Sequence, residues 1–212
     1  KALELGVEAL GSEHNEVALS YHNIGSVCLK KGEYDTAIAY HERAVRIWLE
    51  SLGSGHPRIA SAYLGTGAAY AGKGACGRAI ANYDAALEIW LEKFGPEHPD
   101  VATCYNNLGL AHDNDEDHAK AITYHEKALA IRLKTFGPEH PDVASSYNNL
   151  GSAHDNNTEY DKAIDNHGKA LAIWLKTVGP EHPAVATTYN NGAAAYSRKG
   201  DYDKAVNYYE KC

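Results

Sequence analysis

The sequence lacks the features by which membrane proteins and nucleic-acid-binding proteins are usually recognised. None of its apolar runs approaches the roughly 20 residues that an α-helix needs to span a bilayer. Its 20 lysines and arginines are outnumbered by 28 aspartates and glutamates, which leaves a net charge of −8. Because nucleic acids and anionic membranes are bound by clustered basic residues, we expect neither as a partner.

Cysteine is also scarce, and its spacing is irregular. The four cysteines, Cys28, Cys76, Cys104 and Cys212, form no CxxC pair and no regular disulfide spacing. This usage is typical of free, mostly buried thiols in a reducing compartment, so we expect a cytoplasmic protein. The chain contains no methionine and opens at Lys1 without a secretory signal, which indicates a piece of a longer protein.

Catalytic motifs are absent from the sequence as well. It contains no HExxH, no glycine-rich phosphate loop, and no serine or cysteine with a histidine and an acid at a catalytic spacing. Its acidic residues are scattered over positions where solvation is the default. We therefore expect neither an enzyme nor a bound cofactor.

What the sequence does contain is a string that returns at a fixed interval. GPEHPDVA occupies residues 95–102 and 137–144, and GPEHPAVA follows at 179–186. The histidines of this series are 42 residues apart, at His14, His56, His98, His140 and His182. One histidine per period places the rings about a repeat width apart, too far for them to share a metal ion. The period predicts an array of small repeats with this string at the joints.

Each period is predicted to form two helices. Two stripes of residues recur three or four positions apart, as on one face of an α-helix. They are Ala102, Tyr105, Gly109 and His112, then Ala121, His125, Ala128 and Arg132. The polar string DEDH between them predicts a tight turn. Each repeat is thus an antiparallel helix pair that buries its apolar face by stacking on its neighbours.

Recurring small residues predict where these helices approach closely and where they end. Close approach is expected at Gly25, Gly67, Gly109 and Gly151 of the first helices and at Ala37, Ala79, Ala121, Ala163 and Ala205 of the second. A left-handed cap is expected after the second helices, at Gly53, Gly95, Gly137 and Gly179. Pro99 suits the first turn of a helix, which leaves His98 as the boundary residue.

These residues resemble the tetratricopeptide repeat. The family pattern of aromatic, Leu, Gly, aromatic, Ala, aromatic and Ala is met by Tyr105, Leu108, Gly109, His112, Ala121, His125 and Ala128. The usual repeat has about 34 residues, and the 42-residue form with HPDVA and YNNLG is similar to the repeats of kinesin light chain. The resemblance implies an all-α, right-handed superhelical solenoid. It divides the chain into a second helix at 1–10, complete repeats at 14–55, 56–97, 98–139 and 140–181, and a truncated repeat at 182–212.

In this family, the first-helix face opposite the core lines a concave groove that binds peptides. In this chain the corresponding positions are Asn23, Lys30, Thr103, Asn107, Asn114, Ser145, Asn149, Asn156, Thr187, Asn191 and Arg198. Asn106, Asp113, Asn148, Asp155 and Asn190 flank them. An amide both donates and accepts, so such a row can pair with an extended peptide backbone of any sequence. The alternative is a solvated polar face that persists because one repeat was duplicated.

The other groove positions refine the expected ligand. The second repeat has only small residues there, Ser61, Gly65, Ala68 and Gly72, which would leave a pocket for one bulky anchor. Asp113 and Asp155 would repel an acidic peptide. Kinesin light chain, by resemblance, instead receives acidic, tryptophan-containing peptides in a basic groove. We expect a neutral to mildly basic peptide.

Two core positions change together along the array. They are Cys28/His41, Tyr70/Tyr83, His112/His125, His154/His167 and Tyr196/Tyr209. The matching predicts contact between the two helices, either as buried hydrogen-bonded pairs or as a metal or pH-switch site, although two ligands per repeat are too few for zinc. Trp48, Trp90 and Trp174 are expected in the core, with an exposed aromatic patch as the alternative, and Arg132 takes their place in the third repeat.

The expected function is a protein-interaction scaffold. Two alternatives remain open: the regulatory or sensor region of a larger signalling ATPase or protease, and a structural spacer without a groove ligand. Replacing Asn107 and Asn149 with alanine is expected to weaken peptide binding without unfolding the array. Because Lys1-Ala2 and Lys211-Cys212 occupy the same place in the repeat, head-to-tail association of two copies is also expected.

Overall fold

The computed structural model describes residues 11–212, which are all-helical and contain no strand. Of the described residues, 11–115 form one compact unit, unit 1, and 116–212 form unit 2. Unit 1 contains α1 (Asn15–Lys30), α2 (Tyr34–Leu52), α3 (Pro57–Gly72), α4 (Cys76–Phe94) and α5 (Pro99–Asn114). Unit 2 contains α6 (His118–Phe136), α7 (Pro141–Asn156), α8 (Tyr160–Thr177), α9 (Pro183–Lys199) and α10 (Tyr202–Tyr209). The all-α prediction is confirmed, and the helix predicted at 1–10 lies outside the described residues.

Every odd-numbered helix begins directly after one of the recurring histidines. In each case the imidazole Nδ1 accepts a hydrogen bond from the backbone N–H two residues further on, at 3.1 to 3.3 Å. The ring thereby satisfies one of the amides that a helix leaves unpaired at its start. Proline occupies the first turn of α3, α5, α7 and α9, where its missing N–H is no loss. The recurring His-Pro is therefore a structural joint, as predicted.

The helices α2, α4 and α6 end at glycines with an unusual backbone conformation. Gly53, Gly95 and Gly137 have φ of 81°, 79° and 81°, which confirms the predicted positive φ. Their ψ values of 161°, 174° and 169° are extended, so the prediction of a left-handed helical cap is wrong in this angle. The extended ψ directs the chain away from the helix into the loop before the next histidine. This region of backbone space is open essentially to glycine alone.

Within each unit, the odd-numbered helices form a layer of their own. In unit 1, α3 contacts α1 and α5 in addition to its sequence neighbours. In unit 2, α7 contacts α9 in the same way. Among the described residues, no two Cα atoms within 8 Å of each other join α2 to α4 or α8 to α10. The even-numbered helices therefore cover one side of the odd-numbered layer in each unit and leave its other side uncovered.

The small residues of the core lie where one helix meets a ring from another. A Cβ added at Gly25 would lie 2.9 Å from the ring of His41, and one at Gly151 would lie 2.7 Å from the ring of His167. At Gly67 it would lie 2.6 Å from the ring of Tyr83. The five recurring alanines are all buried. Close approach of the two helices at these positions is thus confirmed.

The last helix pair keeps this packing but shifts it by one residue. The glycine of α9 is Gly192, one position earlier than the period places it, and its ring partner is Tyr208 at 3.0 Å from an added Cβ. Tyr208 also packs against Tyr196, with ring centroids 5.0 Å apart, whereas Tyr209 is 47% exposed. The predicted Tyr196/Tyr209 pair is therefore wrong in its second member. Both changes shift the glycine and its ring together, so their separation of 16 residues is unchanged.

The three tryptophans belong to the core, as predicted. Trp48, Trp90 and Trp174 are all buried. In α6 the same position is taken by Arg132, which is half-buried. Its Nη1 donates to Ser146 Oγ at 2.7 Å and to the carbonyl oxygen of Asp142 at 3.3 Å. These bonds to α7 provide polar partners for a charge that stands where the other repeats have an aromatic ring.

The turn within each helix pair also requires a positive φ. Glycine supplies it at Gly32, Gly74 and Gly200, with φ of 77°, 74° and 90°. Two turns lack the glycine and hold Glu116 and Thr158 at φ of 63°. A non-glycine residue in this conformation costs roughly 1–2 kcal/mol. For Thr158 the cost is accentuated because threonine is β-branched.

Replacing Thr158 with glycine is therefore expected to stabilise the protein. We expect the free energy of unfolding to rise by about 0.5–1 kcal/mol, because relief of the backbone strain exceeds the extra entropy that glycine loses on folding. The measurement is chemical denaturation. The matched control is Gly74→Thr in the corresponding turn of unit 1, where an added Cβ meets nothing within 4 Å. The control should lose stability, and a gain there would contradict the explanation.

Candidate functional site

The polar residues predicted to line a groove all lie on odd-numbered helices, outside the core. In unit 1, Asn23, Lys30 and Asn114 are exposed, and Thr103 and Asn107 are half-buried. In unit 2, Asn156, Thr187 and Arg198 are exposed, and Ser145, Asn149 and Asn191 are half-buried. None of these side chains belongs to the core. Each unit thus presents amides and hydroxyls on the odd-numbered helices.

In unit 2, several of these residues surround a cavity of about 270 Å³. It lies between α7 and α9, with one residue from the end of α8. The lining residues are Ser145, Asn148, Asn149, Trp174, Ala184, Thr187 and Thr188. All of these side chains are uncharged, and they combine apolar surface with amides and hydroxyls. A cavity of this kind can hold an apolar side chain while its rim bonds to a peptide backbone.

The hydroxyls of the cavity are oriented by their own helices. Ser145 Oγ donates to the carbonyl oxygen of Pro141 at 3.2 Å, and Thr187 Oγ1 donates to that of Pro183 at 3.0 Å. Since each hydroxyl hydrogen is engaged by the helix, the oxygen is left as an acceptor. These two positions can therefore receive N–H donors from a ligand.

A half-buried amide network extends from the cavity through Asn148. Asn148 Oδ1 accepts from Asn191 Nδ2 at 3.3 Å and pairs with His167 Nδ1 at 3.1 Å. Burial lowers the pKa of His167 to about 4, so the ring is neutral at pH 7 and carries its proton on Nδ1. The network fixes the orientation of the Asn148 amide and engages one hydrogen of Asn191. It also gives His167 a partner other than His154, whose Nδ1 pairs with Glu159 at 2.6 Å.

An ion pair crosses the same face of unit 2. Arg198 Nη1 lies 2.5 Å from Asp155 Oδ2, and Asp155 is only 8% exposed. Burial raises the pKa of Asp155, and the charge of Arg198 opposes that rise. The prediction treated these two residues as independent charges. Because they neutralise each other, this part of the surface repels an acidic ligand less than the sequence indicated.

The pocket predicted in the second repeat is not present. The space beside Gly65 is filled by His41, whose Nε2 would lie 2.5 Å from an added Cβ. The space beside Gly72 is filled by the ring of Tyr34. His41 in turn packs against His22, with ring centroids 5.0 Å apart. The glycines therefore accommodate side chains of the neighbouring helix and leave no room for a ligand anchor.

Other classes of site find no support in the part of the chain that the structure describes. No group of three or more metal-binding side chains occurs in residues 11–212. The four cysteines are free, and Cys28 and Cys104 are buried. No described helix is long and apolar enough to cross a membrane. The predicted head-to-tail contact involves residues 1–10, which lie outside the described range, so it stays a prediction.

Several solved structures share this architecture. A kinesin light chain-like protein of Podosopora anserina with nearly identical TPR-like repeats is 25% identical, with 93% of this chain and 94% of that chain covered and a TM-score of 0.80. BtubC (BKLC) from P. vanneervenii is 24% identical, with coverages of 99% and 83% and a TM-score of 0.82. A MamA protein is 26% identical, with coverages of 89% and 91% and a TM-score of 0.61. A search of curated proteins finds no significant match.

The sequence itself matches a family model along its whole length. The tetratricopeptide repeat model matches residues 1–48, 16–81, 73–132, 114–159 and 156–212. The predicted resemblance is thereby confirmed, together with an all-α superhelical repeat fold. The chain belongs to the tetratricopeptide repeat family.

Proposed function

We propose that the chain is a cytoplasmic interaction scaffold that binds an extended segment of a partner protein on the α7–α9 face. Tetratricopeptide repeats generally mediate protein–protein interaction and typically act as non-catalytic scaffolds. The observation that carries the proposal is the 270 Å³ cavity between α7 and α9. Three of the predicted groove residues, Ser145, Asn149 and Thr187, line it.

The chemistry of the cavity favours a peptide ligand. Ser145 and Thr187 offer oxygen acceptors, and the amide of Asn149 can both donate and accept. An extended peptide presents N–H and C=O groups alternately, so it can satisfy both kinds of group without a particular sequence. The indole of Trp174 provides an apolar surface for one side chain of the ligand. We therefore propose an extended backbone bound along the rim with one apolar side chain in the cavity.

Charge supports a neutral to mildly basic ligand. The cavity has no charged lining residue, and the nearby Asp155 is neutralised by Arg198. A strongly charged segment would have to lose hydration without gaining a partner in the cavity. The remaining predicted groove residues of unit 1, Asn23, Lys30, Thr103, Asn107 and Asn114, are proposed as a comparable polar face. Free cysteines support the reducing location that the proposal assumes.

Removal of the Asn149 amide is expected to weaken binding about tenfold, since a buried hydrogen bond to a peptide contributes roughly 1–1.5 kcal/mol. The probe is the tightest peptide selected from a random peptide library on the whole chain. Its dissociation constant is measured for the wild type and for Asn149→Ala by fluorescence anisotropy. Thermal unfolding of both proteins should be nearly the same, because Asn149 lies outside the core.

The matched control removes an amide from another exposed position of unit 2. Asn207→Ala on α10 should leave the affinity unchanged. Equal affinity of wild type and Asn149→Ala would remove this surface from the proposal. A library that yields no binder would favour the structural-spacer alternative. In the regulatory alternative, the enzyme that is regulated lies outside this sequence. This chain would then still have to bind a ligand or contact that enzyme.

A further inference from the structure

Unit 1 has a depression between its even-numbered helices α2 and α4. It consists of two adjoining cavities of about 230 and 260 Å³. The two cavities share Leu49 of α2 and Tyr63 of α3. Leu49 is 40% exposed, and Ile89 of α4 extends the apolar surface. We call this region the α2–α4 depression.

Two departures from the repeat pattern open this depression. The loop after α2 reads Gly53-Ser54-Gly55, whereas the later repeats have Gly-Pro-Glu at the same place. Ser54 and Gly55 line the second cavity, so the missing proline and glutamate side chains leave it open. Ala85 lines it from α4. The corresponding residues of the other complete repeats are long and basic: Arg43, Lys127 and Lys169.

A third departure makes the rim acidic. Glu88 and Glu92 of α4 line the second cavity, and both are exposed. The corresponding positions of α6 are Ala130 and Lys134, and those of α8 are Ala172 and Lys176. The equivalent positions of α2 are Arg46 and Glu50, so among the complete repeats only α4 has a carboxylate at both. Glu42 and Arg46 of α2 line the first cavity, so the lining of the depression as a whole carries three carboxylates and one guanidinium around its exposed apolar surface.

From this combination we infer that the α2–α4 depression binds a short partner segment with an apolar anchor flanked by basic residues. Leu49, Tyr63 and Ile89 form an apolar floor for the anchor. Glu88 and Glu92 are placed to pair with lysine or arginine on either side of it. Complementary charge of this kind favours the correct partner and speeds its association. The exposed apolar floor accounts for the affinity, and the carboxylates account for the selection of a basic segment.

The inference can be tested with a defined peptide set and the whole chain. The probe is a fluorescein-labelled peptide with a Leu-Trp anchor between two Lys-Arg pairs. One control peptide has Glu-Asp pairs in place of the basic pairs, and the other has Gly-Ser in place of the anchor. We expect the probe to bind at least about tenfold more tightly than either control peptide.

The protein variants use residues that other repeats already have at these positions, so the fold is retained. Ala85→Lys and the double variant Glu88→Ala/Glu92→Lys should each weaken probe binding about tenfold. The combination of Ser54→Pro with Gly55→Glu should also weaken probe binding, because the added side chains would fill part of the second cavity. Gly55 has an ordinary φ, so glutamate is compatible with its backbone. The melting temperatures of all variants are measured alongside.

One further variant separates specific docking from general attraction between opposite charges. Glu181→Lys changes the charge by +2 at an exposed position of unit 2, which exceeds the change of +1 made by Ala85→Lys, and it should leave probe binding unchanged. The inference is overturned if the probe does not bind up to about 1 mM. It is equally overturned if Glu181→Lys weakens binding as much as Ala85→Lys, which would indicate general attraction to an acidic protein.

Discussion

Acidification from pH 7 to pH 4 is expected to destabilise the folded chain by several kcal/mol. Two fully buried histidines, His41 and His167, are responsible for most of the effect. Burial and, to a smaller extent, the nearby His22 together lower the pKa of His41 to about 4. Burial alone lowers the pKa of His167 to about 4. Neither ring can gain a proton without placing a charge in the core.

The direction follows from the difference between the folded and unfolded chains. In the unfolded chain a histidine has a pKa of about 6.5. Above that pH both states are neutral and stability does not depend on these rings. Between about 6.5 and 4 only the unfolded chain binds the protons, so stability falls as the pH falls. A shift of this size corresponds to about 3 kcal/mol for each histidine.

The measurement is chemical denaturation at several values between pH 7 and pH 5, where carboxylates contribute little. The matched variant is His41→Tyr, because tyrosine occupies the same position in the next repeat as Tyr83. The free energy of unfolding of this variant should depend less steeply on pH, because unfolding would take up about one proton fewer than in the wild type. The slope is informative even if the substitution changes the absolute stability. A variant with the wild-type slope would show that His41 is already protonated in the folded chain.

Replacement of Gly65 with alanine is expected to destabilise the protein by about 2–3 kcal/mol. The new Cβ would lie 2.5 Å from Nε2 and 2.7 Å from Cε1 of His41. His41 has little room to move away, because α1 also passes close to its ring at Gly25, where an added Cβ would lie 2.9 Å from Cε1. The steric cost therefore exceeds the gain in helix propensity of roughly 0.5–1 kcal/mol that alanine usually brings.

The same substitution elsewhere should have the opposite sign. Gly168 lies inside α8, and an added Cβ there meets nothing within 4 Å. Gly168→Ala is therefore expected to raise the free energy of unfolding by about 0.5–1 kcal/mol. Both variants are compared by denaturation at pH 7. Equal effects at the two positions would show that the space beside Gly65 adapts easily, contrary to the packing described.

The local architecture could be predicted from the sequence because its causes lie close together in the chain. A histidine at the boundary of each odd-numbered helix and a proline in its first turn act over only a few residues. Helical periodicity likewise places Ala37 or Trp48 in the core by its position alone. Because the sequence repeats every 42 residues, each local prediction also applies to the equivalent positions of the other repeats. The turn at Thr158 is another local case, because the sequence itself shows threonine where Gly32, Gly74 and Gly200 occupy the equivalent turns.

The groove residues could be predicted only as positions on a face. Their interactions cross from one repeat to the next, at a separation of 43 residues for Asn148/Asn191 and for Asp155/Arg198. That separation is one residue longer than the period, so comparison of equivalent positions does not reveal it. The same reason explains Gly65, whose missing side chain is replaced by His41 of the preceding repeat. A pocket inferred from small residues alone was therefore wrong.

By itself, the sequence determined the helix pairs, their boundaries at the recurring histidines, the close approach at glycine and alanine, and the acidic balance of its charge. These depend on periodicity, residue size and charge, which are properties of the chain read in order. Only the tertiary structure decided the extended ψ of Gly137, the shift to Tyr208, the bonding of Asp155 to Arg198 and the filling of the space beside Gly65. Each of these depends on which side chain from another helix reaches a given point, and that distance is set by packing between helices.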